Sequence, residues 1–214
     1  MANKSAPALP YQIAQVVCAI LAMLIGLYPL FYFLQDKFGM LARKSAGLLA
    51  SAFWLPAFYV HIIAGGLALL AGWVQFSQKI RIATPPLHRA LGKTYVISAL
   101  CSSLAAGYLS LHADGGIVAT LGFLCLAIVW CAATWIGYTS ILKGKIPAHK
   151  KWMTFSYAAC FAAVTLRLWL PLLVAVLQDF TQAYVFVAWL CWVPNMLVAY
   201  ILTRNIKINQ SALA

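Results

Sequence analysis

Polar positions along this chain are rare and clustered. Between the clusters lie six stretches, at about Tyr11–Leu34, Phe53–Phe76, Leu91–Leu111, Gly116–Leu142, Trp152–Leu177 and Ala183–Leu202, that are apolar nearly throughout. Each is long enough to cross a hydrocarbon core of about 30 Å. Inside lipid every backbone N–H and C=O must find a partner within the protein. Unbroken apolarity of this length therefore predicts helices. The expected fold class is all-α: a polytopic membrane bundle of six transmembrane helices. Three parts follow along the chain: residues 1–52 with the first helix and an outer loop, residues 53–177 with a four-helix core, and residues 178–214 with the last helix and a tail. The stretch "KFGMLARKSAGLLASAFWLP" fits two forms. It reads either as an amphipathic turn at the interface or as a backward extension of the second helix to about Gly47, kinked at Pro56.

Composition strengthens this picture. Hydrophobic residues make up 64% of the 214 residues and charged ones 8%, and the mean hydropathy is +0.90. So few charges cannot cover a water-soluble surface of this size. The N-terminal run is too long for a secretion signal and reads as a retained first helix. The six cysteines all lie in apolar runs without a C-x-x-C pair, which suits small packing residues better than a disulfide or zinc framework.

The net charge of +12 sets orientation rather than indicating a nucleic-acid partner. Lys79, Arg81, Arg89 and Lys93 flank the second-to-third connection, and Lys143, Lys145, Lys150 and Lys151 the fourth-to-fifth. Lys4, Arg204 and Lys207 lie at the ends of the chain. The positive-inside rule puts all of these on the cytoplasmic face of a bacterial inner membrane, with both termini inside. Lys37, Arg43 and Lys44 fall on the other side. So do the only acids, Asp36, Asp114 and Asp179. A cytoplasmic rim of cations and histidines without carboxylates is suited to an anionic inner leaflet, or alternatively to an anionic ligand.

Candidate chemistry collects on histidines. "PPLHRALGKTY" and "PAHKKWMTFSY" each set a His and a base after Pro, ahead of an apolar run. Helices two and three, and helices four and five, read as two similar hairpins, a tandem duplication that brings His88 and His149 to one face. Polar and small residues also recur at helical spacing. The stripes are His61, Gly65, Ala68, Gly72 and Gln75 on helix two; His88, Gly92, Tyr95, Ala99 and Ser102 on helix three; His149, Met153, Ser156, Cys160, Ala163 and Arg167 on helix five; and Tyr184, Ala188, Cys191 and Asn195 on helix six.

Such stripes serve close helix packing. They also suit a flat group held by histidines at its ends. Imidazole ligates haem iron and hydrogen-bonds quinone carbonyls. His88 and His149 share a depth and would be the metal ligands if one haem b were bound. His61 and His112 differ in depth by roughly 10 Å at 1.5 Å per residue and make a poor pair. Arg167 lies about 27 Å along its helix from His149, toward the outer side. An Arg there faces protein or water. It serves either as a structural or snorkelling residue or as an anchor for a carbonyl or anionic group, and Asp114, Asp179 or a backbone carbonyl is its expected partner. No nucleotide loop, zinc-protease or hydrolase motif is present, and three Asp without Glu leave no paired-carboxylate chemistry.

At "HIIAGGLALLAGWVQF", "PPLHRALGKTY", "PAHKKWMTFSYA" and "TLRLWLP", from about Phe53 to Leu173, the chain resembles the domain of unknown function 2306 family of bacterial membrane proteins. His61, Gln75, His88, Arg89, Gly92, His149, Met153 and Arg167 sit on the pattern of that family, and His112 does not. The resemblance implies a membrane protein and brings no activity with it. The "HRALG" opening is also similar to the His-Arg helix start of succinate dehydrogenase membrane anchors, which borders a quinone and haem site. The leading functional expectation is a redox-linked protein binding quinone or one haem b. It would use His88, His149, Arg89 and Gln75 on the cytoplasmic side, with His61 and Arg167 as further contacts. The alternatives are a non-catalytic assembly or accessory subunit, working as a homodimer or with a membrane partner, and a small carrier.

Overall fold

Each of the long apolar runs is a helix in the computed structural model of the protein, which describes residues 9–35 and 38–206. The helices are α1 (Leu9–Leu27), α2 (Trp54–Gly72), α3 (Pro85–Ser110), α4 (Gly116–Leu142), α5 (Ile146–Cys160), α6 (Ala162–Leu177), α7 (Phe180–Leu190) and α8 (Val193–Thr203). Five segments have the length and apolarity of membrane spans: Gln15–Leu34, Trp54–Phe76, Gly116–Leu142, Ile146–Leu177 and Phe180–Thr203. This is a polytopic helical membrane protein.

Local chemistry sets the helix starts. Ser51 Oγ accepts from Trp54 N–H at 3.3 Å, ahead of α2. Asp179 Oδ1 accepts from Gln182 N–H at 2.8 Å, opening α7. α3 and α5 each begin on a proline in the first turn, where the missing N–H costs nothing. Both start about six residues earlier than the apolar pattern suggests. Consequently His88, Arg89, His149, Lys150 and Lys151 occupy first helical turns rather than loops.

The segment between α1 and α2 does not extend α2 backward to Gly47. It forms a 3-10 helix at Gly39–Arg43 and a single turn at Ala46–Leu49, capped by Ser45, at the end of the bundle opposite the basic loops. Pro56 falls in the first turn of α2 and does not kink it. Asp36, Lys37, Lys4 and Lys207 lie outside the described residues.

α2 packs on α3, α3 on α4, and α4 on α5, so the middle of the chain is a serial four-helix core. α1 docks on α2 and α6, α7 on α4 and α6, and α8 on α5. The stripes read from helical spacing are the buried faces: Ala68, Tyr95, Ala99, Ser102, Ser156, Cys160, Ala188 and Cys191 are all buried. Glycines make the closest crossings. A Cβ on Gly72 would fall 2.4 Å from the Tyr157 ring, and one on Gly66 would fall 2.6 Å from the Gly26 carbonyl. At the centre Thr134 Oγ1 donates to the Trp130 carbonyl (2.7 Å), Ser156 Oγ donates to Thr134 (2.7 Å), and Tyr95 Oη donates to Ser156 (2.6 Å). The direction follows because a carbonyl can only accept.

Candidate functional site

The inner-edge histidines are both tied to the neighbouring helix. His149 Nδ1 donates to the Gly137 carbonyl of α4 at 2.8 Å. With Nδ1 as the donor, Nε2 is the ring nitrogen left to carry a lone pair in the neutral tautomer. Gln75 sits in the 3-10 turn that ends the second span. With its nitrogen toward His88, its amide donates to His88 Nδ1 (2.8 Å) and to the His88 carbonyl (3.2 Å) and accepts from Gly92 N–H (3.2 Å). The opposite orientation would set like groups against like. His88 Nδ1 is then an acceptor, and its Nε2 carries the hydrogen. His88 lies near Arg81 and His149. Arg89 is exposed. The sequence thus brings His88, Gln75 and His149 to one end of the bundle. They are fastened there by hydrogen bonds within the protein.

A different place is hollow. A cavity of about 690 Å³ opens between α1, α2, α4, α6 and α7 in the half of the bundle away from the basic loops. Its walls are mostly apolar, and a few polar groups converge on it. His61 stands roughly 10 Å along α2 from its N-terminal end. Its Nδ1 meets the Ser102 carbonyl (3.1 Å) and Ser102 Oγ (2.9 Å), while that hydroxyl donates to the His61 carbonyl (2.9 Å). Facing two acceptors, Nδ1 carries the hydrogen, and Nε2 keeps the lone pair.

Arg167 enters from α6, roughly 15 Å from the C-terminal end of that helix. Its Nη1 donates to the Ala163 carbonyl one turn back at 2.8 Å, the backbone partner foreseen from sequence. Its guanidinium carbon lies 4.4 Å from the centre of the Tyr28 ring. Among the described residues no carboxylate faces it. Asp114 pairs with Lys44 at 2.7 Å, and Asp179 caps α7. Among the described residues the buried indole N–H of Trp54 has no hydrogen-bond partner, while that of Trp130 lies beside the Tyr95 hydroxyl; both rings line the cavity.

Backbone breaks shape the hollow. The first span changes to a 3-10 turn at Tyr28–Leu30. The fifth breaks at Phe161, between α5 and α6, and the sixth at Cys191–Trp192, between α7 and α8. Tyr28, Pro29, Cys160, Ala162 and Cys191, all at these breaks, line the cavity. Non-helical backbone at this depth survives only where protein or a cavity satisfies it. Here Thr165 Oγ1 and Asn195 Nδ2 both donate to the Cys191 carbonyl, and Asn195 also donates to the Ala158 carbonyl at 3.2 Å. Sequence reasoning found His61 and Arg167. It missed Trp54, Trp130 and Tyr28, which read there as ordinary aromatics, and it set His112 aside although His112 also lines the cavity.

Residues 58–203 match the family described as "Predicted membrane protein (DUF2306)". The matched stretch includes α3 to α8 whole and all but the first turn of α2. No curated protein and no solved structure matches the chain.

Proposed function

The chain belongs to that membrane-protein family, and from this premise we propose that it is a six-span inner-membrane protein that binds a lipid-soluble quinone between Arg167 and His61. One observation carries the reading. Arg167 is partly buried, has no opposing acid among the described residues, and lines an apolar cavity of about 690 Å³ together with His61, whose Nε2 keeps a lone pair. A buried cation costs free energy unless it is paired, so this arrangement favours a ligand that brings acceptors. Quinone carbonyls are acceptors on a flat apolar ring, which suits walls of this kind. In the reduced form of such a ligand, a hydroxyl can donate to His61 Nε2.

This reading moves the site from the inner-edge histidines to the outer half. A haem shared by His88 and His149 would need a lone pair at Nε2 on both rings. His149 offers one, and His88 does not while Gln75 holds it. The sixth span in this reading is α3. Its 26 residues rise about 39 Å. Its hydropathy is lowered by the His88, Arg89 and Lys93 turns and by the buried serines Ser98, Ser102 and Ser103. The basic loops support cytoplasmic termini and contact with anionic inner-leaflet lipid.

The test is intrinsic tryptophan fluorescence of the protein in lipid nanodiscs, titrated with decylubiquinone. Saturable quenching is expected, with a smaller amplitude in Trp130→Phe. His61→Leu should weaken binding about tenfold, the value of one good hydrogen bond of about 1.4 kcal/mol. Absence of saturable quenching sinks the proposal, as does quenching indifferent to His61→Leu. If dodecanoate saturates the site and the quinone does not, the head group is an anion rather than a carbonyl.

A further inference from the structure

The cavity has a roof, and the roof is fastened unevenly. Gly39, Met40, Arg43 and Lys44 of the outer segment close its outer end. The front of this segment is anchored by packing. Leu41 is buried among Tyr32, Trp54 and Phe58, and Phe38 lies edge-on to Tyr32 with ring centres 5.1 Å apart. Gly39 has φ +55°, and a Cβ there would fall 2.6 Å from the Tyr32 hydroxyl.

The back of the segment is held differently. Lys44 is an outer-loop lysine whose side chain is only 6% exposed. It turns inward to donate to Asp114 Oδ1 at 2.7 Å and to the His112 carbonyl at 2.8 Å. Beside it the Arg43 guanidinium carbon lies 3.4 Å from the centre of the Phe180 ring. These contacts reach the α3–α4 turn and α7, on the far rim of the cavity. They are polar contacts at a water-facing edge, where such pairs form and break readily. Beneath them, His112 Nδ1 and Asp114 Oδ2 are buried and lack partners, so the seal leaves polar groups to be satisfied when it opens. Phe38 and Leu41 hold one end of the segment, the ion pair latches the other, and Met40 between them adds an apolar contact to the far rim, so the segment is built to swing about its packed end once the pair opens.

We infer that the Gly39–Lys44 segment is a gate, held shut by the Lys44–Asp114 ion pair, through which the ligand reaches Arg167 and His61 from the face opposite the basic loops. The inference rests on the cavity being the binding site, and its test separates the two ideas. Lys44→Met removes both donated hydrogen bonds, and Asp114→Asn weakens one. The first measurement is decylubiquinone association and dissociation by stopped-flow tryptophan quenching. Lys44→Met should speed both rates about tenfold while the ratio changes little, with Asp114→Asn in between.

The second measurement needs no ligand. Ala163→Cys, on the cavity wall, is labelled in reconstituted vesicles by an impermeant anionic methanethiosulfonate from the outer side, and modification of residue 163 is followed by mass spectrometry. Labelling should accelerate about tenfold when Lys44→Met is added. Unchanged labelling in that double variant, with its thermal melting intact, overturns the gate whatever the quinone result. Should Lys44→Met not fold, Asp114→Asn carries the same comparison, with faster labelling expected and unchanged labelling decisive against the gate. Faster labelling without quinone binding keeps the gate and removes the quinone.

Discussion

Arg167 shows what a single residue can say. An Arg in an apolar run is costly wherever it points, so its presence in "TLRLWLP" was legible as a question. The answer required coordinates, because whether a described acid faces it depends on where Asp114 and Asp179 end up. They are committed to Lys44 and to the α7 N-terminus. A buried guanidinium held by one carbonyl and a ring is a poor stabiliser, since an apolar residue of similar bulk avoids its desolvation. Arg167→Leu should therefore leave thermal stability unchanged or raise it by a few degrees, while decylubiquinone binding falls at least tenfold. Arg167→Lys should bind weakly, because an ammonium lacks the planar fork of donors. Melting curves and the quenching titration report the two effects separately. A large drop in stability for Arg167→Leu would make the residue structural. Trp54 and Trp130 were not legible in this way, because an indole in a membrane helix looks the same with or without a partner for its N–H.

At the scale of elements, helical spacing named the buried faces correctly because one period governs both sequence and packing. Tyr95, Ser102 and Ser156 were on the predicted stripes, and all are buried. The spacing also placed His88 and His149 at one end. It could not show that each is bonded to the helix beside it, which depends on the register between neighbours. The break at Phe161 was hidden, because apolar residues continue through it without a proline, whereas Pro194 in the first turn of α8 marks the break at Cys191–Trp192. Glycine contacts give the sharpest test at this scale. Gly72→Ala would force Tyr157 and Tyr95 aside, since both rings lie within 3 Å of the new Cβ. It should cost about 1–3 kcal/mol. Gly47→Ala meets nothing within 4 Å and should leave the melting temperature within a degree or two of the parent. Equal stabilities for the two variants would mean that the α2–α5 crossing is looser than described.

For the whole molecule, the decisive pattern is the distribution of charge. Lys79, Arg81, Lys93, Lys143, Lys145 and Lys150 gather toward one end of the bundle, and Asp114 and Asp179 toward the other. Reporter fusions at the two termini should both read cytoplasmic, and an outward signal from either would break the six-span arrangement. Turning Lys143 and Lys145 to Gln should weaken flotation of the protein's inner loops, as synthetic peptides, with anionic vesicles by about 1 kcal/mol for each charge removed. No change would leave those bases with orientation as their sole role.

The depth of Arg167 has one more consequence, and it is electrical. In a membrane held negative on the side of the basic loops, a group travelling from the outer face to Arg167 crosses roughly half of the field, given its helix position about 15 Å in. A carboxylate would carry its charge toward the negative side, losing about 1 kcal/mol for each 100 mV of potential. A quinone carries no charge and feels nothing. An energised membrane would thus sort the two kinds of ligand at this site without any change in the residues that touch them, disfavouring the anion and leaving the neutral ring in place.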